Sequence, residues 1–354
     1  MTLATEILGP RAGESRSRGS ANPGRRWWAL AILCALAACD PPLNADSGLD
    51  AAVGDADGGG GDAALDSGRD AAGRDLPGRD ASCGLAAVGT PAKFDLATWN
   101  LQEFPLAGDA TVDLVARILF DLQLDLIAVQ EITDMRDFQV MLSLMPGYSG
   151  RVSSDSYAFQ RPGLIYRTDM IAIDNVQLLF DDNNEDFPRA PLQVDVVATD
   201  PQGSASYAFT IIVVHLKAGA TEADETARRN ALVALKTHLD QQQVANPDRD
   251  YLLIGDFNDK LTDSAAYNVF QPFLDDSADY RFLDLQLARN GEWSWIGTST
   301  GTMIDHILIA DQGDTDFAGD QTRVLHLEQQ VAGYQTTVSD HRPVVTSVEP
   351  VAWR

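Results

Sequence analysis

Cysteine is scarce in this sequence, with only Cys34, Cys39 and Cys83 among 354 residues. The first two belong to an N-terminal segment with the features of an export signal, described below. Only Cys83 would therefore stay a free thiol in the mature chain, and one thiol cannot form an internal disulfide even in an oxidising compartment. Stability must come from a large hydrophobic core, which about 260 residues can supply.

Positive charge is also scarce. The formal net charge is −26, and from Cys83 onward 18 lysines and arginines face 40 aspartates and glutamates, a net charge of −22. No block of basic residues is present. This argues against a protein that holds long nucleic acid through many phosphate contacts, and against attraction to anionic lipid. It leaves room for an enzyme that cleaves phosphoesters with a metal ion and a few arginines.

No apolar run is long enough to span a bilayer, for which about 20 residues are needed. The longest uncharged run near the start, from Trp27 to Ala38, follows five arginines and ends in Leu36-Ala37-Ala38-Cys39. A basic region, an apolar region and small residues before a boundary are typical of an export signal. The boundary resembles that of a bacterial lipoprotein, which predicts cleavage before Cys39 and lipidation of Cys39. The alternative is an ordinary secretory signal in which Cys39 is incidental.

The segment after this boundary is too poor in apolar residues to fold. From Asp40 to Ser82 it is mostly Asp, Gly and Ala and has no aromatic residue, a composition typical of flexible, solvated chain. We therefore divide the chain into a signal peptide (1–38), a disordered tether (39–90) and a catalytic domain (91–354). The protein is expected outside the cytoplasm, attached to the bacterial envelope only through the lipid. Which membrane holds it stays open.

From Pro91 onward, strand patterns alternate with a few helical ones. Helical spacing of apolar residues predicts helices near 112–120, 135–145, 223–243 and 263–270. Several apolar segments between them, including Tyr251 to Ile254 and a segment near Trp293, predict strands. Strands in meandering runs, broken by few helices, favour an α/β architecture in which two mixed sheets pack together with helices outside.

Polar side chains recur where the apolar strands stop. They are Asn100, Glu131, His215, Asp256, Asn258, Asp305, Asp340 and His341. α/β proteins place reactive groups at strand ends, so we expect these side chains to share one site. Glu131 and Asp340 are acids suited to a hard cation such as Mg²⁺, which one or two carboxylates typically hold together with a substrate phosphate. Zn²⁺ would need more nitrogen or sulfur ligands.

These strand-end segments together resemble the successive motifs of the endonuclease/exonuclease/phosphatase superfamily. The motifs are Thr98-Trp99-Asn100-Leu101-Gln102-Glu103, Val129-Gln130-Glu131, Val213-Val214-His215-Leu216-Lys217, Gly255-Asp256-Phe257-Asn258, Met303-Ile304-Asp305-His306 and Ser339-Asp340-His341-Arg342-Pro343-Val344. The resemblance spans about Lys93 to Val348. It implies the DNase I-like fold, a four-layer α/β sandwich, and metal-dependent cleavage of a phosphoester by an activated water.

The resemblance also implies roles for individual residues. Glu131 would bind the metal, Mg²⁺ or else Mn²⁺ or Ca²⁺, with Asn100 and Asp340 close by. Asp256 and Asn258 would orient the water and the phosphate, and Asn100 would also contact the phosphate. His341, paired with Asp305, would be the base or would stabilise the transition state. His215 would face the leaving group.

Two positions are less settled by the resemblance. Arg189 resembles a phosphate-contacting arginine of the secreted nuclease branch, although a surface ion pair is an equal alternative. That branch pairs its first catalytic histidine with a glutamate from an earlier strand, and this chain has Gln160-Arg161 near the matching place.

Other polar and aromatic residues have structural interpretations. His306 should point away from Asp305 and lie in the core. Arg228 opens an acidic helix, where surface pairing is expected. Trp295 could stack on bases, but an aromatic residue beside a strand is more often core.

Three functions remain open at this point. The first is a Mg²⁺-dependent nuclease or related phosphodiesterase acting as a monomer on DNA or RNA. The second is a phosphatase or a sphingomyelinase-like phospholipid phosphodiesterase on the same fold. The third is a non-catalytic binding module. The inositol phosphatase branch would show an arginine soon after its Gly-Asp-x-Asn motif, where this chain has Asp259-Lys260, and no clear aromatic hairpin for lipid is present.

Overall fold

The protein is described from a computed structural model that covers residues 82–155, 158–310, 321–350 and 353. The predicted signal, the predicted lipidation site Cys39 and all but the last residues of the predicted tether lie outside this part of the chain. Within it, no helix is long and apolar enough to cross a bilayer.

Two six-stranded sheets form the centre of the domain. Sheet 1 contains β1 (Phe94–Phe104), β2 (Leu126–Ile132), β3 (Tyr148–Val152), β4 (Arg161–Arg167), β11 (Gln321–Val324) and β12 (Val344–Val348). Sheet 2 contains β5 (Ile171–Leu178), β6 (Leu192–Thr199), β7 (Ser206–His215), β8 (Asp250–Asp256), β9 (Tyr280–Phe282) and β10 (Asp305–Ala310). The strand orders are β11-β12-β1-β2-β4-β3 and β5-β6-β7-β8-β10-β9.

The described helices connect the strands. They are α1 (Asp109–Leu122), α2 (Met135–Ser143), α3 (Glu222–Ala245), α4 (Gln271–Leu274), α5 (Leu285–Arg289) and α6 (Tyr334–Thr337), with a 3₁₀ turn at Leu327–Gln329. The longest, α3, begins with a capping box in which Thr221 and Asp224 satisfy each other's backbone N–H groups.

The central strands are apolar on both faces because each lies between two cores. In β1, Phe94 and Leu96 enter the core between the sheets, whereas Ala97 and Trp99 enter the core that covers the outside of sheet 1. The strand β8 alternates in the same way between the central core and the core under α3. Continuous apolar runs of this kind are typical of strands covered on both sides. The predicted four-layer sandwich is confirmed.

Each sheet contains one central parallel pair. β1 runs parallel to β2, and β7 runs parallel to β8, while the other pairs are antiparallel. The carboxyl ends of parallel neighbours share an edge, so the residues that follow these four strands meet at one end of the sandwich.

Two predicted elements are wrong. Residues 263–270 form turns rather than a helix, and α4 begins only at Gln271. The amide of Asn268 bonds the carbonyls of Leu261 and Asp263 and accepts from the N–H of Phe270, so this side chain replaces helical backbone bonds. The segment near Trp293 is not a strand, because Trp295 makes only isolated bridges.

Candidate active site

The ends of strands from both sheets line one cavity of about 810 Å³. Six of the residues predicted for the site line it, namely Glu131, His215, Asp256, Asn258, Asp340 and His341. Asn100 and Asp305 are fully buried beneath them. In sheet 2, His215 lies beside Asp256 across β7 and β8, and Asp305 faces Asp256 across β8 and β10. Side chains far apart in sequence therefore reach one place because of strand register.

Asn100 joins the two carboxylates at the centre of the site. Its Nδ2 donates to Asp256 Oδ2 at 2.9 Å and to Glu131 Oε1 at 3.2 Å. Its Oδ1 accepts from the backbone N–H of Gln102 at 2.9 Å. In this orientation Asn100 presents N–H groups to the acids, so ligation of a cation through its oxygen requires the amide to turn. That ligation and a phosphate contact by Asn100 stay predictions.

The acids fit a hard divalent cation. Glu131 Oε1 and Asp256 Oδ2 converge on the same amide group, and each lies 3.7 Å from His215 Nε2. Two carboxylates facing one another repel, and a cation between or beside them relieves that repulsion. The donors are oxygens, as Mg²⁺, Mn²⁺ and Ca²⁺ prefer. Glu131, with Asp340 on the cavity wall, would hold such an ion next to Asp256.

A second set of possible ligand atoms lies deeper. Atoms of Asp256, Asp305 and His341 come within 4.8 Å of one another. However, His341 Nδ1 bonds Asp305 Oδ2 at 2.8 Å, which places a proton rather than a lone pair between them. We therefore interpret Asp305 and His341 as a hydrogen-bonded pair, and assign the cation to the Glu131 side.

His341 carries a proton at neutral pH. Burial lowers its pKa, but the charge and hydrogen bond of Asp305, together with the charges of Asp256 and Asp340, outweigh burial and raise the pKa to about 10. Its Nε2 points into the site, 3.9 Å from Asp256 Oδ2 and from Asp340 Oδ1. The ring is thus an imidazolium aimed at the place where the two acids meet.

His215 is the opposite case. It is buried, and burial, followed by the charges of Arg189 and His341, holds its pKa well below the usual range. The Gln160 backbone opposes this shift, and among the described residues no side chain hydrogen-bonds to its Nδ1. With its lowered pKa and no carboxylate on this ring nitrogen among the described residues, His215 is an uncharged imidazole.

Asp256 lies between the two histidines. Burial and the charge of Asp305 raise its pKa to about 7, although the charge of His341 and hydrogen bonds from Asn100 and Asn258 oppose the shift. Its Oδ1 accepts from the N–H of Asn258 at 2.9 Å, and Asn258 Nδ2 donates to the carbonyl of Leu216. These bonds fix the turn after β8. A carboxyl group poised near neutrality can exchange a proton with bound water.

Asp340 is fixed by contacts with β1 and with the segment around Trp295. Its Oδ2 accepts from the indole N–H of Trp295 at 3.0 Å, and its backbone N–H donates to Gln102 Oε1 at 2.9 Å. Ser339 Oγ donates to the carbonyl of Asn100 at 2.6 Å and accepts from the N–H of His341. The loop that carries Asp340 and His341 is therefore tied to the end of β1.

Arg189 lies behind the cavity wall. It donates to Gln160 Oε1 at 2.5 Å and to the carbonyl of Leu216 at 3.3 Å. Arg189 is not among the residues that line the cavity. Direct contact with a phosphate stays a prediction.

Sequence reasoning missed several residues of the site. The cavity wall includes Gln102, Gln160 and Trp295, and Trp295 is half-buried there rather than in the core. Arg228 was expected on the surface but is buried, with its Nε 2.8 Å from Asp259 Oδ2. The sequence feature that could have predicted a buried partner for Arg228 was Asp259, the acid directly after the Gly-Asp-Phe-Asn motif.

The interpretation of His306 as a core residue is confirmed. It is fully buried and bonds Asp284 Oδ2 at 2.6 Å and the carbonyl of Asp259 at 2.9 Å. It lies on the face of β10 opposite Asp305, as strand alternation requires.

Several solved structures have the same fold. TDP2 of D. rerio, complexed with a single-strand DNA product, is 13% identical with a TM-score of 0.55, over 73% of this chain and 99% of that one. The human Nocturnin catalytic domain, with a bound sulfate anion, is 15% identical with a TM-score of 0.53, over 75% and 97%. A mannosyl-6-phosphatase of Bacteroides thetaiotaomicron is 14% identical with a TM-score of 0.50, over 72% and 99%.

Among curated proteins, no sequence matches this chain. Identities this low establish the shared fold and leave the activity open. Residues 97–341, more than half of the chain, match the family described as "Endonuclease/Exonuclease/phosphatase family". The matched range begins in β1 and ends at His341, and so contains every strand end that lines the cavity. The chain belongs to the endonuclease/exonuclease/phosphatase family, whose members are phosphoesterases.

Proposed function

We propose that this protein is a divalent-metal-dependent phosphodiester hydrolase, with nucleic acid as its first candidate substrate. The observation that carries the proposal is the pairing of a protonated His341 with a neutral His215 on either side of Asp256, next to oxygen ligands for a cation. Phosphodiester hydrolysis needs a proton acceptor, a proton donor or cationic group, and charge neutralisation at the phosphoryl oxygens.

The residues divide the work as follows. Glu131 and Asp340 would hold the ion, which when bound would draw electron density from the phosphoryl oxygen and offset its charge. Asp256, once deprotonated, orients a water and accepts its proton. His341, held by Asp305, stabilises the negative charge that develops on phosphorus oxygens. His215 faces the leaving group and hydrogen-bonds to it as a neutral ring.

The charge of the cavity favours a second candidate, a phosphoesterase for compact substrates. Seven acidic residues line the cavity, against the three cations of Arg228, Lys260 and the protonated His341. All three are already paired, Arg228 with Asp259, Lys260 with Asp263 and His341 with Asp305. A long polyanion gains little binding energy from a cavity wall without free cations. A substrate with one phosphate needs only the divalent ion as its positive partner. The names of the similar structures, which include a mannosyl-6-phosphatase and a DNA complex, fit both candidates.

A substrate panel with Mg²⁺ separates these candidates. Plasmid DNA, single-stranded oligonucleotides, RNA, sugar phosphates, inositol phosphates and sphingomyelin are incubated with the purified protein, with and without chelator. We expect chelator-sensitive hydrolysis of at least one class. The Asp256→Asn and His341→Gln variants should each lose about 10²–10⁴-fold in rate. His326→Gln, which alters a histidine outside the cavity, is the control. Undiminished rates in both active-site variants would reject the assignment.

We further propose that the enzyme works outside the cytoplasm, attached through a lipid on Cys39. The support is the sequence alone, since residues 1–81 lie outside the described part. The tether of 39–90 would let the catalytic domain reach substrates away from the membrane.

A further inference from the structure

Arg189 is a half-buried cation without a direct acidic partner in the described part of the chain. No carboxylate lies within ion-pair distance of its guanidinium among these residues, and its nearest acceptors are neutral: Gln160 Oε1 at 2.5 Å and the carbonyl of Leu216 at 3.3 Å. Burial lowers the pKa of Arg189, and the charges of Glu131 and Asp256 oppose that shift. Its charge therefore acts on the site although its nitrogens do not touch the acids.

Gln160 occupies the space between Arg189 and Glu131. Its Nε2 donates to Glu131 Oε2 at 2.9 Å while its Oε1 accepts from Arg189. Guanidinium groups only donate and carboxylates only accept, so one orientation of the amide satisfies both partners. A neutral amide makes these two contacts at once without adding charge.

The contact decides which oxygen of Glu131 faces the reaction centre. Glu131 Oε2 accepts two hydrogen bonds, from Gln160 Nε2 and from the backbone N–H of Glu103 at 2.8 Å. Glu131 Oε1 is turned toward Asn100 Nδ2 at 3.2 Å and His215 Nε2 at 3.7 Å. A carboxylate fixed at one oxygen presents the other with a defined direction.

We propose that Gln160 and Arg189 form a positioning pair that aims Glu131 Oε1 at the cation, with Arg189 acting through Gln160 rather than by touching the scissile phosphate. The inference rests on the proposed function, because it assumes a divalent cation held by Glu131. It assigns two residues to the site that lie behind the atoms that contact substrate. Neither is a catalytic residue.

Mn²⁺ binding to the metal-free protein, measured by titration calorimetry without substrate, tests the pair. The Gln160→Met variant keeps the length of the side chain and removes both hydrogen bonds. We expect its Mn²⁺ affinity to fall about 10–100-fold, as for other changes to groups that orient a ligand. Gln241→Met, an exposed glutamine on α3, is the matched control and should bind as the original protein does. Circular dichroism and thermal melting verify that each variant is folded.

The coupling between the two residues gives the sharper result. Arg189→Met removes a positive charge near the site. Removal of this charge should strengthen cation binding whether or not Gln160 is present. In a chain that retains Gln160, Arg189→Met also removes the hydrogen bond that holds the Gln160 amide in place. The factor by which Arg189→Met changes Mn²⁺ affinity should therefore differ by about threefold or more between the original protein and the Gln160→Met variant. If Gln160→Met folds poorly, Gln160→Leu, which also removes both hydrogen bonds, takes its place in both comparisons.

Three results would overturn the pair. The first is an unchanged Mn²⁺ affinity in Gln160→Met. The second is an effect of Arg189→Met on Mn²⁺ affinity that is equally large with and without Gln160. The third is a rise in KM for substrate on Arg189→Met that is the same with and without Gln160. The last result would mean a direct phosphate contact. A failure of the proposed function is distinguishable, because the original protein would then bind no divalent cation.

Discussion

At the scale of single residues, the site depends on two histidines held in opposite protonation states. His341 is kept protonated mainly by Asp305, whereas burial and the charge of Arg189 keep His215 neutral. Both rings are buried, so solvent exposure does not distinguish them. The difference comes from the hydrogen bond of Asp305 to His341 at 2.8 Å, whereas Glu131 and Asp256 lie 3.7 Å from His215 and make no hydrogen bond to it.

Replacing Asp305 tests this dependence. Asp305→Asn removes the charge that raises the pKa of His341, so the imidazolium is lost at a lower pH than about 10. The same charge raises the pKa of Asp256, which should fall as well. Both limbs of the plot of kcat/KM against pH are therefore expected to move to lower pH, with a loss of about 10²–10⁴-fold in rate.

The pH dependence of the unfolding free energy should also shift to lower pH in Asp305→Asn. His341 has a folded pKa above its unfolded value, so its contribution to the free energy of unfolding is present below about pH 6.5 and is lost as pH rises through about 10. In Asp305→Asn that loss should be smaller and should be complete at a lower pH, as urea unfolding at several pH values would reveal. A pH–rate profile that stays in place would contradict the role given to Asp305.

The strand-end residues could be predicted from the sequence because each follows an apolar run. Asp256 after Leu252-Leu253-Ile254-Gly255 is the clearest example. Gln160 could not be assigned a role, because its partners Glu131 and Arg189 are each 29 residues away and meet it only through packing. Trp295 was misjudged for the same reason: its partner Asp340 comes from a loop 45 residues later.

At the scale of elements, the junction of β7 and β8 sets the position of the site. Gly255 has φ +146°, and a Cβ there would lie 2.0 Å from the carbonyl oxygen of Val214 in β7. The two backbones can pass this closely only without a side chain. His215 and Asp256 are the next residues along each strand, so the close approach brings them side by side.

Gly255→Ala should therefore push β8 away from β7. We expect unfolding free energy to fall on the order of 3 kcal/mol, and Asp256 to shift with the strand. Gly203→Ala is the matched control, since Gly203 also has a positive φ, +69°, but nothing lies within 4 Å of its added Cβ. That variant should lose only about 1 kcal/mol. Equal losses in urea unfolding would mean that strain in φ, and not the close approach, explains the glycine.

Elements with one strong pattern could be predicted, and elements decided by a side chain could not. The central strands carry apolar runs because two cores cover them, and these runs are visible in the sequence. The segment 263–270 has a helical pattern, but the three hydrogen bonds of the Asn268 side chain stabilise turns instead. Such competition depends on geometry that spacing alone does not contain.

At the scale of the whole molecule, the predicted signal and tether indicate how the domain would be attached to the membrane. If Cys39 is lipidated, Cys39→Ser should move the protein from the membrane fraction to the soluble extracytoplasmic fraction and abolish incorporation of a labelled fatty acid. Activity of the released protein toward a soluble substrate should not change. Cys83→Ala is the control, because Cys83, although within the range predicted as tether, is buried in the core outside sheet 1. Membrane attachment that survives Cys39→Ser would reject the lipoprotein interpretation.

The site is divided between the two sheets. Asn100 and Glu131 come from sheet 1, whereas His215, Asp256 and Asp305 come from sheet 2. The loop before β12 adds Asp340 and His341 to the sheet 1 side, but Asp256 and the Asp305 that bonds His341 come from sheet 2, so the site is complete only when the two sheets pack together. If the chain is exported unfolded, it would have no complete active site inside the cell that makes it. Hydrolysis would then begin only after the protein has folded.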